Sequence, residues 1–232
     1  MVTTRKDGSD TLLDHVIRYR FTTTQIVHNL FYPDATVHAA RKAVQRLSTG
    51  DQPMLEGVRI APRVHVLQLH GRGKIGVITA WSRYALLHFC CAQERKRIRL
   101  TETEFYALMG TDKIPGVDPN NQHYFLVPEA STRLGIAFVD FRPTPKASSG
   151  VTRATGKDLA KKVCECWQRL AATPLLCDLH AQGLTVVSAL VPTESKAALI
   201  QKAVVEECQQ YPNIQVGALE VCVVPQMLDF FS

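Results

Sequence analysis

Between residues 35 and 47 the apolar side chains recur at intervals of three, four and three, as Val37, Ala40, Val44 and Leu47. At about 3.6 residues per turn, that spacing gathers all four on one face of a helix. His38, Arg41, Lys42 and Gln45 are left on the opposite face, and Ser48-Thr49-Gly50-Asp51 stops the helix. Two shorter helices come before it. Leu12, Leu13, Val16 and Ile17 form a helical stripe over 10–19. Thr22-Thr23-Thr24-Gln25 then supplies a cap for a helix that buries Ile26, Val27, Leu30 and Phe31, and Pro33-Asp34 ends it. After the third helix, Met54–Ile60 and Val64–Leu69 read as two strands joined by Ala61-Pro62-Arg63. Helix, helix, helix, hairpin is the order of a winged helix-turn-helix.

Charge falls on the same segment. Residues 1–75 carry 11 Lys+Arg against 6 Asp+Glu, whereas residues 119–232 carry 10 against 10. An excess confined to one end points to a polyanionic partner for that end. A helix that buries one face and shows basic and amide groups on the other fits a major groove of double-stranded DNA. In that role Arg41 and Lys42 meet guanine edges or phosphates, and His38 and Gln45 add base contacts. Thr36, at the helix N-terminus, holds a phosphate together with backbone amides. Arg63 lies in the hairpin turn, and Gly71-Arg72-Gly73-Lys74 reads as a mobile basic tip whose Arg72 and Lys74 touch phosphates. A homodimer is expected, because one such module makes few contacts and a two-fold pair doubles the site.

The rest of the chain follows another pattern. Residues 76–120 read as a helical bridge, with an apolar helix over Trp81–Cys91 and a capping box at Thr101–Glu104. Within it the basic run Arg95–Arg99 reads as a solvated face, with a DNA contact as the alternative. Pro115–Asn121 marks a domain boundary. From 121 to 232 strands and helices alternate: Tyr124–Val127, Ile136–Phe141, Lys157–Ala171, Leu184–Val191, Glu194–Tyr211 and Ile214–Val224, with a loop over Pro143–Gly156. Leu184–Val191 carries no charge between Gly183 and Pro192, as a buried parallel strand requires. The expected fold is therefore a two-domain α+β or α/β chain, a winged helix over 1–75 and an α/β domain over 121–232.

Several classes drop out. No stretch reaches the roughly 18 apolar residues of a membrane span, and the first residues lack the apolar run of a secretory signal, so a cytoplasmic location is expected. The seven cysteines form no CxxC pair and read as buried free thiols. His15, His28, His65, His70, His88 and His180 show no metal-ligand spacing, and most read as surface or packing residues. There is no P-loop or dinucleotide fingerprint, and no cofactor is expected.

One pattern suggests catalysis. Pro128-Glu129 and Asp140-Phe141-Arg142 put two carboxylates and a cation at the ends of adjacent strands, an arrangement that can hold a divalent metal for phosphodiester cleavage. It resembles a degenerate PD-(D/E)XK nuclease motif, with Glu129 for the first Asp and Arg142 for the Lys. Arginine does not readily give up its proton, so Arg142 is a poor base.

The layout as a whole resembles the plasmid replication-relaxation family of helix-turn-helix proteins. The resemblance rests on Phe21–Ile26, Ala39–Leu47 and Val66–Leu69 in the first part. In the second it rests on Leu126–Glu129, Phe138–Asp140 and Val186–Thr193. It implies a DNA-binding protein of a bacterial mobile element, a transcriptional regulator or replication and maintenance factor, with a nuclease-like α/β domain. The alternatives are a metal-dependent nuclease using Glu129 and Asp140, and a protein-interaction scaffold.

Overall fold

The computed structural model describes residues 11–120, 122–128, 131–140, 156–211 and 213–230. The chain divides into two compact units after Glu94, and the C-terminal residues from Leu228 belong to the first. Among the described residues the fold is mixed α and β.

The first unit opens with α1 (Leu12–Tyr19), α2 (Thr24–Phe31) and α3 (Val37–Ser48). Thr11 and Asp14 start α1 as a reciprocal cap, each side chain accepting from the other's backbone N–H at 3.1 Å. The Thr11 hydrogen bonds hold the Asp14 carboxyl below its ordinary range. Arg20 closes the helix in the left-handed region, at φ 73°. Thr23 caps α2 by accepting from Ile26 N at 3.2 Å. Leu12, Val16, Val27, Phe31, Ala40, Val44 and Leu55 bury together, whereas Ile17 of the expected α1 stripe is exposed and His15 and Tyr19 are buried on that helix. Strands β1 (Leu55–Ala61) and β2 (Val64–Leu69) pair antiparallel from Leu55↔Leu69 to Ala61↔Val64, with an irregularity between Arg59 and Ala61. An isolated bridge joins Thr22 to Leu67.

Helix α4 (Val77–Cys91) completes this unit. Trp81 and Tyr84 are buried on it, and Phe230 meets both rings at centroid distances of 5.2 Å. The expected bridge over 76–120 is thus divided: α4 belongs to the first unit and residues from Arg95 to the second. The reason is packing, because α4 is apolar around most of its surface and buries on several sides.

The second unit is a five-stranded sheet in the order β3 (Ile98–Arg99), β4 (His123–Val127), β5 (Arg133–Val139), β6 (Thr185–Val191), β7 (Ala218–Val223). Strands β3, β4 and β5 pair antiparallel, and β5, β6 and β7 pair parallel. Connection length explains the change. Only residues 128–132 separate β4 from β5, whereas parallel neighbours need a crossover of a dozen or more residues. Those crossovers carry α6 (Lys157–Ala172), α7 (Leu176–Ala181) and α8 (Glu194–Cys208), while α5 (Glu102–Met109) lies between β3 and β4. Val187, Ala189 and Val191 pack with Val163, Trp167 and Ile200 of the helices. Every residue of β6 is buried, as its composition requires. Strand β3 is not apparent in the sequence pattern, and the largest shifts of a strand start are in β5 and β7. The pairing Arg133↔Val127 starts β5 three residues earlier, and β7 begins at Ala218 rather than Ile214.

The basic run before α5 is not a solvated face. Arg97 and Arg99 are buried, because the Arg97 guanidinium pairs with Glu220 on β7 and Arg99 pairs with Phe125 in the ladder. Arg95 also reaches Glu220 at 3.2 Å, and Ser188 Oγ donates to the same carboxylate at 3.0 Å. Burial alone raises the Glu220 carboxyl; the Arg97 charge and the hydrogen bonds from Arg97, Ser188 and Cys222 together outweigh it and hold the group below its ordinary range.

Candidate nucleic-acid interface

Helix α3 is positioned from both ends. At its start, the His28 Nε2 edge lies 2.7 Å from the Ala35 carbonyl oxygen and fixes the turn out of α2. At its end, Met54 N donates to Leu47 O at 2.8 Å and ties the helix to the base of the hairpin. Ala40 and Val44 anchor the inner face.

The outer face carries His38, Arg41, Lys42, Gln45 and Arg46, all exposed. No aspartate or glutamate lies anywhere in α3. Among the described residues, Arg41, Lys42 and Arg46 make no ion pair, so their charge faces solvent undiminished. Arg46 joins this face in addition to the residues expected there. It stands four after Lys42, so the same helical spacing puts it on this face. Thr36 is the cap residue of α3, exposed, and its side chain makes no capping bond. The Thr36 hydroxyl therefore caps none of the first N–H groups of α3, while Ala39 N donates to the Thr36 carbonyl at 2.9 Å.

The hairpin residues do not form one patch with each other. Arg63 is exposed in the turn, whereas Arg72 and Lys74 follow β2 at the other end of the hairpin. Six residues of strand separate them, on the order of 20 Å. The base, not the turn, is joined to α3, because His70 N donates to Met54 O at 2.9 Å. The segment after β2 is also less free than its glycines suggest. Buried Gln68 donates through Nε2 to the Arg72 carbonyl at 2.9 Å and to Glu56 Oε1 at 2.6 Å. The Arg72 carbonyl is therefore hydrogen-bonded to Gln68 while the Arg72 side chain stays exposed. Arg59 is spent locally, its guanidinium folded onto the Ala61 and Pro62 carbonyls.

In the second unit, Glu129 and Arg142 lie outside the described residues. Asp140 follows β5, is buried, and accepts from Lys196 Nζ at 2.6 Å. Lys196 was invisible to sequence reasoning because it stands 56 residues away, in the first turn of α8. The parallel pairing of β5 with β6 brings the two strand ends together. Among the described residues no group of three or more His, Cys, Asp or Glu is arranged to hold a metal ion.

The histidines divide into surface and packing residues, as expected: His65 and His70 are exposed. His15, His88 and His180 are buried. His180 has Thr185 Oγ1 at 2.9 Å on one side and the Gln215 carbonyl at 2.9 Å on the other, a packing role between α7 and the approach to β7. Among the described residues no helix is long and apolar enough to cross a membrane. Compared with protein-family models, with curated proteins and with solved structures, the chain matches none.

Proposed function

We propose that the first unit is a winged helix-turn-helix that binds double-stranded DNA, with α3 as the helix that enters the major groove. The observation that carries this reading is the outer face of α3: three exposed cations without an ion-pair partner among the described residues, His38 and Gln45, with no carboxylate in the helix. Its 12 residues make a rod of about 18 Å, long enough to reach several base pairs in a groove about 12 Å wide. The Thr22–Leu67 bridge adds support, because it makes the segment before α2 a third, minimal strand beside the hairpin. Arg41 and Lys42 meet guanine edges or phosphates, His38 and Gln45 read base edges, and Thr36 binds a phosphate. Arg63, at the far end of the hairpin, makes a separate backbone contact.

With the resemblance to the replication-relaxation family, this makes the protein a sequence-specific regulator or replication and maintenance factor of a bacterial mobile element, acting as a dimer. A gel shift with DNA from the protein's own upstream region, at several salt concentrations, tests it. Binding that weakens steeply with salt and is lost in the Arg41→Ala, Lys42→Ala double variant is the expected result. Binding unchanged in that variant refutes α3 as the recognition helix. No shift at any salt favours the scaffold reading.

A metal-dependent nuclease is the second reading, and the Asp140–Lys196 contact is what favours it. Lysine tunes its proton affinity more readily than arginine, so Lys196 suits acid–base work better than Arg142. The same ion pair also counts against it, since Lys196 competes with any cation for Asp140. Incubation with supercoiled plasmid and Mg²⁺ or Mn²⁺ decides: nicking that vanishes in Asp140→Ala establishes the nuclease.

A further inference from the structure

We propose that Cys164 and Cys208 are a redox-active dithiol whose oxidation staples α6 to α8. Their sulfurs lie 3.5 Å apart, and both thiols are free. A disulfide needs about 2.05 Å between sulfurs, so closure asks for a movement of roughly 1.5 Å. Cys208 is the last residue of α8, at the point where the chain leaves the helix. Three other cysteines are directed elsewhere: Cys166 Sγ lies 3.8 Å from the Arg169 guanidinium, Cys177 Sγ 3.9 Å from Asp178, and Cys222 Sγ 3.9 Å from Arg97.

The two members are unequal, as a sensing and a resolving thiol must be. Cys164 is buried, and Cys208 is half-buried. Burial, the Cys208 contact and the Glu207 and Glu165 carboxylates push the Cys164 thiol up, so its sulfur attacks only a partner already in contact, giving up its proton as the bond forms. Cys208 is the sulfur an oxidant meets first. The same carboxylates repel anionic disulfides, so the fitting oxidant is small and neutral, a hydroperoxide.

The chemistry balances with hydrogen peroxide. The Cys208 sulfur takes one peroxide oxygen, the O–O bond breaks, and the product is a sulfenic acid plus water. The Cys164 sulfur then attacks the Cys208 sulfur. The S–O bond breaks, and the departing hydroxide leaves with the Cys164 proton as a second water. Two thiols and one peroxide give one disulfide and two waters. The closed loop spans 44 positions and contains α7 and β6.

The test uses the reduced 232-residue chain, treated with hydrogen peroxide, alkylated and mapped as non-reduced peptides. The expected result is a Cys164–Cys208 linked peptide, loss of two free thiols, and a melting temperature about 5–10 °C higher that returns with dithiothreitol. Cys208→Ser abolishes the link and the shift, and Cys166→Ser keeps both. Because Cys208 is half-buried, its serine variant remains informative if Cys164→Ser fails to fold. Overoxidation of Cys208 without a link, a link through Cys166, a link persisting in Cys208→Ser, or seven thiols still free each overturns the proposal.

Discussion

Thr22 and Leu67 exchange both backbone hydrogen bonds, Thr22 N to Leu67 O at 2.9 Å and Leu67 N to Thr22 O at 2.8 Å. This single bridge fastens the segment between α1 and α2 to the second strand of the hairpin. Thr22 is fully buried, and its hydroxyl lies 3.0 Å from His15 Nε2 on α1. One residue therefore ties a helix, a loop and a strand.

Thr22→Val keeps the shape and the backbone bridge but removes the hydroxyl, leaving His15 Nε2 facing a methyl group. The expected cost is about 1–2 kcal/mol, the penalty of a buried polar group deprived of its partner. Urea unfolding should show a lower midpoint with an unchanged slope. DNA affinity measured well below that midpoint should stay near wild type, because Thr22 is not on the outer face of α3. An unchanged midpoint means the hydroxyl contributes nothing to the frame.

Arg46 separates charge contacts from sequence reading. It is exposed, so Arg46→Ala should leave stability within about 0.5 kcal/mol. As a phosphate contact its loss should weaken binding equally on all sequences and lower the salt slope by about 1. Gln45→Ala should instead change the preferred sequence and leave the slope alone. Competition gel shifts with two unrelated duplexes distinguish the two outcomes. A slope unchanged in Arg46→Ala would take this residue out of the interface.

How much of this was readable depended on distance along the chain. The α3 pattern was legible because Val37, Ala40 and Val44 report a periodicity within a dozen residues. Thr185–Val191 was legible for a similar reason, since a chargeless segment between glycine and proline has few ways to be buried. The six-residue α7 was not: it follows Leu175, at φ 69°, and is too short to show a period. Neither was the burial of Arg97, whose partner Glu220 lies 123 positions away. The Asp140–Lys196 pair has the same character, because only the β5–β6 register brings its halves together. Local periodicity fixed the candidate interface on α3; long-range pairing decided the electrostatics of the second unit.

His88 gives the first unit an acid limit. It is buried on α4 with its ring 4.5 Å from Tyr84, and neither ring nitrogen has a hydrogen-bond partner among the described residues. Burial lowers its pKa from 6.5 to about 4, and the nearby Asp229 carboxylate only partly opposes this. Between those values the unfolded chain binds more protons than the folded one, so stability falls as pH drops from about 6.5 towards 4. The full loss is about 3 kcal/mol. His88→Leu should remove most of that pH dependence, and at pH 7 it should be nearly neutral because no hydrogen bond is lost. Urea midpoints at pH 7 and pH 4.5 for both proteins provide the check. An equally steep acid loss in the variant would assign it to other groups.

Gly135 on β5 is directly opposite Phe125 on β4, and the phenyl ring lies over the glycine. A Cβ added at Gly135 would sit 2.1 Å from Phe125 Cζ and 2.3 Å from Cε2, far inside contact distance. Phe125 is fully buried, so the ring has no open space into which to retreat. Gly135→Ala should therefore destabilise the second unit by about 3 kcal/mol, at the upper end of overpacking costs. Phe125→Leu alone should cost about 1–1.5 kcal/mol, as a smaller apolar side chain in the same place. If the clash is the cause, the double variant should be more stable than the two costs added together, by at least about 1 kcal/mol. Strict additivity in urea unfolding would mean that the backbone of β5, not the ring of Phe125, is what requires glycine at this position.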